Sequence, residues 1–212
     1  MARWEPDARG RLLTAAVELF GDRGYDATTA AQISEQAGLT KTTLFRHFAD
    51  KREILFQGQE DLIASAVEGV ETAPRDSSPF GVLRVAVIAL CAIHTAERRD
   101  TGRRLDMILS TSSELQERAA FKRSAITNAL HQALSARLGN ARQAGILADI
   151  GVRAYYDGFA SWIISADDGP LADVVDSELD ACEAELARTT ARLPPAALNA
   201  NGHPRGDIRP HY

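Results

Sequence analysis

Apolar residues recur every three to four positions along almost the whole chain, and strand-like alternation is absent, so the pattern predicts an all-α protein. Leu12, Leu13, Ala16, Val17 and Phe20 make one face of a first helix that begins near Asp7 and stops at Gly24, a position suited to a left-handed glycine. Thr29, followed three residues later by Gln32, is a capping box that starts a short second helix. Ala30, Ile33 and Ala37 face inward on it, and Gly38 ends it. Thr40 caps a third helix of about two turns, with Leu44 and Phe48 on its inner side. Asp50 and Glu53 form another box, predicted to open a fourth helix that runs to about Val70 with Lys51 in its first turn.

TAPRDSSP, residues 72–79, reads as a connection between two parts. Ser78-Pro79 is a good helix start, and helices are predicted over 79–97, 103–110, 114–138, 149–166 and 171–192. Ser113 and Gln116 box the third of these, which carries Ile126, Leu130, Leu134 and Leu138 in one row. Leu171, Val175, Leu179, Cys182 and Leu186 form the stripe of the last. Residues 194–212 have no period and are rich in Pro, Gly and Asn, which predicts a disordered tail. The expected organisation is a three-helix unit over 7–67, with a helix-turn-helix at about 29–48, then a larger helical unit over 78–193.

Composition narrows the function. Charged residues are 25% of the 212 and hydrophobic ones 45%, ordinary for a globular protein with a sizeable core. The net charge is −5, so no global basic field attracts nucleic acid. Residues 1–55 are locally neutral, with eight Lys and Arg against eight Asp and Glu, so an anion-binding surface has to be a local patch. Cys91 and Cys182 lie far apart in apolar helical patterns and read as free thiols. The N-terminus lacks an apolar signal region, and the longest apolar run, VLRVAVIALCAI at 82–93, is too short to span a bilayer; both point to a cytoplasmic protein without a membrane partner. P-loop, G-x-S-x-G, H-E-x-x-H and Rossmann glycine patterns are absent and the histidines lack metal-ligand spacing, so neither catalytic residues, a metal site nor a cofactor is predicted.

The chemistry concentrates in LTKTTLFRHFADK, residues 39–51. In a helix-turn-helix the later helix enters the DNA major groove and its early residues meet base edges. With Leu44 and Phe48 anchoring that helix, Lys41, Thr42 and Thr43 turn outward. Lysine donates to guanine O6 or N7, and threonine offers a hydroxyl and a methyl. Thr28 and Thr29 at the start of helix two, Thr40, and Lys51 at the expected start of helix four are candidates for phosphate.

The stretch GYDATTAAQISEQAGLTKTTLFRHFADKREIL, preceded by LLTAAVELFGDRGY, resembles the signature of TetR-family transcriptional regulators over roughly residues 7–67. The resemblance implies that Lys41, Thr42 and Thr43 read bases and that Thr29 and Lys51 bind phosphate. Phe45 stands where the family usually has a tyrosine whose hydroxyl touches phosphate, and Arg46 or His47 is the candidate substitute. Beyond residue 75 the resemblance implies an internal ligand site and a homodimer formed by the last two long helices. A palindromic double-stranded operator and a small-molecule effector are the implied partners, with repression the prevalent mode.

In the second unit, His94 follows Leu83, Val87 and Cys91 on one stripe, and Met107, Phe121, Tyr155, Tyr156 and Trp162 either line a cavity or pack in the core. RRDTGRR, 98–104, is either a solvated connector or an anion site. SSELQER at 112–118, SARLG at 135–139 and Trp162 resemble a subgroup with an acyl-CoA-like ligand-binding domain. Val152, Tyr155, Phe159 and Ile163, with the 171–192 stripe, are the expected dimer face or else intramolecular core. The competing reading of the whole chain is a helical small-molecule-binding or scaffold protein that does not read DNA.

Overall fold

Two hydrophobic cores organise the chain, and the computed structural model describes residues 7–191 of it. The helices are α1 (Ala8–Arg23), α2 (Ala30–Gln36), α3 (Lys41–His47), α4 (Gln59–Thr72), α5 (Pro79–Cys91), α6 (Arg99–Ser110), α7 (Ser113–Leu138), α8 (Ala141–Ile164) and α9 (Leu171–Ala191). No strand occurs among the described residues, as the periodicity requires. The predicted tail over 194–212 lies outside the described residues.

The first core gathers Leu12, Ala16, Phe20, Ile33, Leu44, Phe48 and Ile54. Local chemistry sets its helices. Gly24 has φ 83°, out of reach of most side chains, and ends α1. Both arms of the Thr29–Gln32 box form at α2, and the Thr40 hydroxyl accepts from the Thr43 amide at α3. One brace carried no sequence signal: the Arg11 guanidinium of α1 donates to the Ala37 carbonyl in the turn between α2 and α3.

The expected fourth helix is two elements. The Asp50 carboxylate accepts from the Arg52 and Glu53 amides, but the turn it caps is a single 3-10 turn, Glu53–Phe56. Gly58, at φ 85°, breaks the chain before α4 begins. The Glu53 side chain turns to α7 and does not complete the box. Ala66 and Val70 of α4, with Ala73 just past its end, pack into the second core, so α4 sides with the larger unit although the expected boundary put residues up to 67 in the smaller one. The 72–79 connection is a tight α4–α5 turn, pinned where Arg137 donates to the Ala73 and Pro74 carbonyls.

The second core packs α4, α5, α7, α8 and α9 together. α5 ends at Cys91, short of the predicted 97, and the chain turns so that His94 meets Tyr155. α6 begins at Arg99, before the predicted 103, and that arginine is buried: its guanidinium lies 4.5 Å from the Trp162 ring centroid and donates to the Asp167 and Gly169 carbonyls. α7 has Ser112, not Ser113, before its first residue, and Gln116 reaches the Ser110 carbonyl, so that box does not form. α8 starts eight residues before the predicted 149, capped by Asn140, whose side chain accepts from the Gln143 amide.

Most of the two expected pairing stripes packs within the protomer, although Leu186 at the far end of α9 stays exposed. Val152, Tyr155 and Ile163 of α8 and Leu171, Val175 and Leu179 of α9 are all buried in the single chain. The α8–α9 contact is close enough that a methyl on Gly158 would meet the Val175 side chain at 2.7 Å.

Candidate nucleic-acid interface

α3 is amphipathic in the simplest way. Leu44 is fully buried and Phe48, which follows the last helical residue, is 4% exposed. Lys41, Thr42, Phe45 and Arg46 stand exposed together, at i, i+1, i+4 and i+5, around a shallow concavity. Lys41 Nζ lies 5.7 Å from the Phe45 ring centroid.

The other candidates sort differently. Thr40 and Thr43 hydroxyls lie 2.9 Å apart and hydrogen-bond each other, so both serve the start of α3. Thr29 is exposed, with its hydroxyl donating to Gln32 Oε1 at 3.0 Å. His47 is half-buried against Phe48, ring centroids 6.4 Å apart. Thr28 is not on this surface: it is 1% exposed and donates inward to the Gly24 carbonyl at 2.8 Å. Its hydroxyl also lies 3.3 Å from the Leu19 carbonyl, so it is held between α1 and the residue that ends it.

Lys51 does not open a helix. It precedes the 3-10 turn, and its ammonium donates to the Tyr25 carbonyl at 2.6 Å and the Thr28 carbonyl at 2.8 Å. It also lies 4.1 Å from the Tyr25 ring centroid. Lys51 therefore clamps the α1–α2 loop beside α2; of its three ammonium protons, these bonds occupy two.

Tyr25 continues the link upward. Its hydroxyl donates to Glu114 of α7 at 3.3 Å, and burial together with that carboxylate pushes the phenol up to about 12. Arg52 reaches the same Glu114 oxygen at 3.0 Å. Neither Tyr25, Arg52, Glu114 nor Arg118 stood out in the sequence, because these partners are 60 to 90 residues apart and no local spacing joins them.

In the second unit the ligand candidates divide. His94, Tyr155, Tyr156 and Trp162 come together, joined by Phe159, whose ring lies 5.0 Å from His94. His94 Nε2 and the Tyr155 hydroxyl are 2.6 Å apart. Burial, then Arg98, pulls His94 down to about 4, so the imidazole is neutral at pH 7. Burial raises both tyrosine phenols. Trp162 is committed to packing, with its indole N–H donating to the Gly169 carbonyl at 2.9 Å and Arg99 over its ring. Met107 and Phe121 are 56% and 63% exposed and do not join this cluster. They lie on outer faces of α6 and α7; Met107, with Val17 and Phe20, lines a separate cleft of about 470 Å³ between α1 and α6, and Phe121 lies under Arg118. The arginine run is mostly helical, with Arg104 paired to Asp100 and Arg103 donating to the Ile163 carbonyl.

Among the described residues no cluster of His, Cys, Asp or Glu could hold a metal ion, and no single helix is long and apolar enough to cross a membrane.

Comparison with known proteins bears on this arrangement. Residues 12–57 match the family described as bacterial regulatory proteins, tetR family. The HTH-type transcriptional activator FasR of Mycolicibacterium smegmatis is 38% identical over 72 residues, 34% of this chain and 33% of FasR. The chain thus spans about a third of that relative's length. An uncharacterized HTH-type transcriptional regulator of Mycobacterium bovis is 28% identical over 184 residues, 85% of this chain and 89% of its own. Among solved structures, Thermus thermophilus FadR, a TetR-family transcriptional repressor in complex with lauroyl-CoA, superposes with a TM-score of 0.51 at 26% identity, covering 89% of this chain and 98% of FadR.

Proposed function

We propose that the chain is a TetR-family, ligand-responsive, DNA-binding transcriptional regulator acting as a homodimeric repressor in the cytoplasm, without catalytic activity. The observation that carries this reading is the exposed set Lys41, Thr42, Phe45 and Arg46 on a helix whose opposite side is sealed into its own core. Each protomer lays that set in one major groove of a palindromic operator. Thr29, Thr40 and Thr43 order the backbone beside it, and Lys51 fixes the preceding loop while directing its remaining proton at phosphate.

The dimer forms through the outer face of α8 with α9. Ile146 and Ile164 are 55% and 75% exposed, and Arg153 and Asp157, paired at 3.2 Å, lie between them on the same side of the helix. Leu186 of α9 adds to the exposed apolar surface. The effector is a small, largely apolar molecule that enters at the His94, Tyr155, Tyr156 and Phe159 cluster. That FadR is described with lauroyl-CoA supports an acyl group as its apolar part. The effector releases DNA by its higher affinity for a state in which α4 has tilted and the two reading helices no longer match the half-site spacing.

The neutral charge of residues 1–55 and the inward ties of Lys51 favour the second reading, a helical binding or scaffold protein that ignores DNA. A gel-shift titration of the full chain against its own upstream DNA at two salt concentrations separates the two. Steeply salt-dependent binding, with base preference altered by Lys41→Ala, is expected; no shift at low salt would establish the rival.

A further inference from the structure

Phe45 is the one member of the exposed α3 set that can neither donate nor accept a hydrogen bond. It is 46% exposed, and its neighbours in the concavity are Lys41, Thr42 and Arg46. Leu44 and Phe48 already close the core beneath α3, so the exposed part of the ring has no packing role there. The ammonium of Lys41 near its face gives it a cationic neighbour without covering it.

An apolar ring presented with two cations and a hydroxyl needs an apolar patch on an otherwise polar, anionic partner. In the major groove, base edges offer one such group, the 5-methyl of thymine. Resting on the DNA-binding reading above, we propose that Phe45 is a specificity-determining residue that recognises a thymine through its methyl group, in place of any phosphate contact. Four residues of helix advance about 6 Å from Lys41 to Phe45, and base pairs are spaced by about 3.4 Å. The thymine therefore lies within about two base pairs of the base that Lys41 addresses.

Atom for atom, deoxyuridine differs from thymidine only by that methyl, and its pairing is the same. The test uses the full chain and a duplex site selected from random DNA, with each thymine replaced in turn by deoxyuridine. A single replacement, in one half-site, is expected to weaken binding about fourfold, the equivalent of about 0.8 kcal/mol for one buried methyl-sized group. Phe45→Ala is expected to bind more weakly, to keep the salt slope, and to bind the thymine and deoxyuridine duplexes equally. Phe45→Gln carries the same comparison should the alanine variant fail to fold. The proposal is overturned if no thymine responds in the wild-type protein, as when the ring rests on deoxyribose, or if the deoxyuridine effect persists without Phe45. In both cases salt-dependent binding to the selected site leaves the DNA-binding reading standing; if no site can be selected, both fall together.

Discussion

Arg118 of α7 grips Glu53 of the 3-10 turn with two parallel hydrogen bonds, Nε to Oε1 at 2.6 Å and Nη2 to Oε2 at 2.9 Å. Lys122, one helical turn on, adds its ammonium at 3.3 Å. Glu53 belongs to the 3-10 turn of the N-terminal core, and the two cations to α7, whose Leu115 packs in that core while Ile126, Leu130 and Leu134 pack in the larger one. The bonds from Arg118 lead the causes that hold the Glu53 carboxyl below its usual range.

Since that carboxyl is depressed in the folded chain, its contribution is complete above the ordinary carboxylate range and disappears as pH falls through the folded value. Glu53→Gln is expected to cost about 1–3 kcal/mol at pH 7. In urea unfolding, the gap between variant and wild type should start to narrow below about pH 4 and close as pH passes the lower, folded value. A gap that stays constant with pH would show that the charge of Glu53 is not what matters.

Lys51→Met keeps the aliphatic stem but strips two carbonyls of their donor. The expected loss is about 1–3 kcal/mol, or roughly 2–12 °C in Tm for a chain of this size. Hydrogen exchange should rise in the α1–α2 loop before it rises in α8. An unchanged Tm together with weakened DNA binding would assign Lys51 to phosphate alone.

His94 is held neutral in the fold, whereas unfolded histidine protonates near 6.5. The unfolded chain therefore binds the additional proton between about 6.5 and about 4, and His94 makes the protein lose stability as pH falls across that window. His94→Phe is expected to flatten the Tm-against-pH curve over this range. A curve as steep as that of the wild type would place the acid sensitivity elsewhere.

Ile164 is 75% exposed at the end of α8. If the outer face of α8 pairs two copies, Ile164→Glu should shift sedimentation from dimer toward monomer while leaving the helical circular dichroism unchanged, because the side chain touches little of its own core. A dimer unaffected by this change would move the pairing surface off that face.

Local rules carried far in this sequence, and their failures have a common cause. The capping pairs at Thr29 and Thr40 needed only residues three apart, and they formed. The stripe on α9 was equally legible, but periodicity reports that a face is buried and not which surface covers it; α8 of the same chain does. Phe121 and Met107 looked like cavity residues by type alone, and their helices turn them outward. Thr28 and Lys51 were placed at helix starts, whereas carbonyls at the end of α1 and in the following loop hold both inward. The early end of α5 and the split before α4 answer to His94 meeting Tyr155 and to Glu53 meeting Arg118, contacts across more than 60 residues.

Gly58 and Gly69 give α4 two unlike ends. At Gly58 the backbone takes a left-handed turn in open space, with nothing within 4 Å of where a side chain would begin. At Gly69 the missing side chain lets α4 lie directly on α5, so close that a methyl would stand 2.6 Å from the Ala86 Cα. One end is a knuckle and the other a weld, separated by roughly 16 Å of helix. A rotation of α5 would therefore be carried by α4, while Gln59, next to Gly58, donates to the Lys122 carbonyl at 3.0 Å and ties that end of the arm to α7.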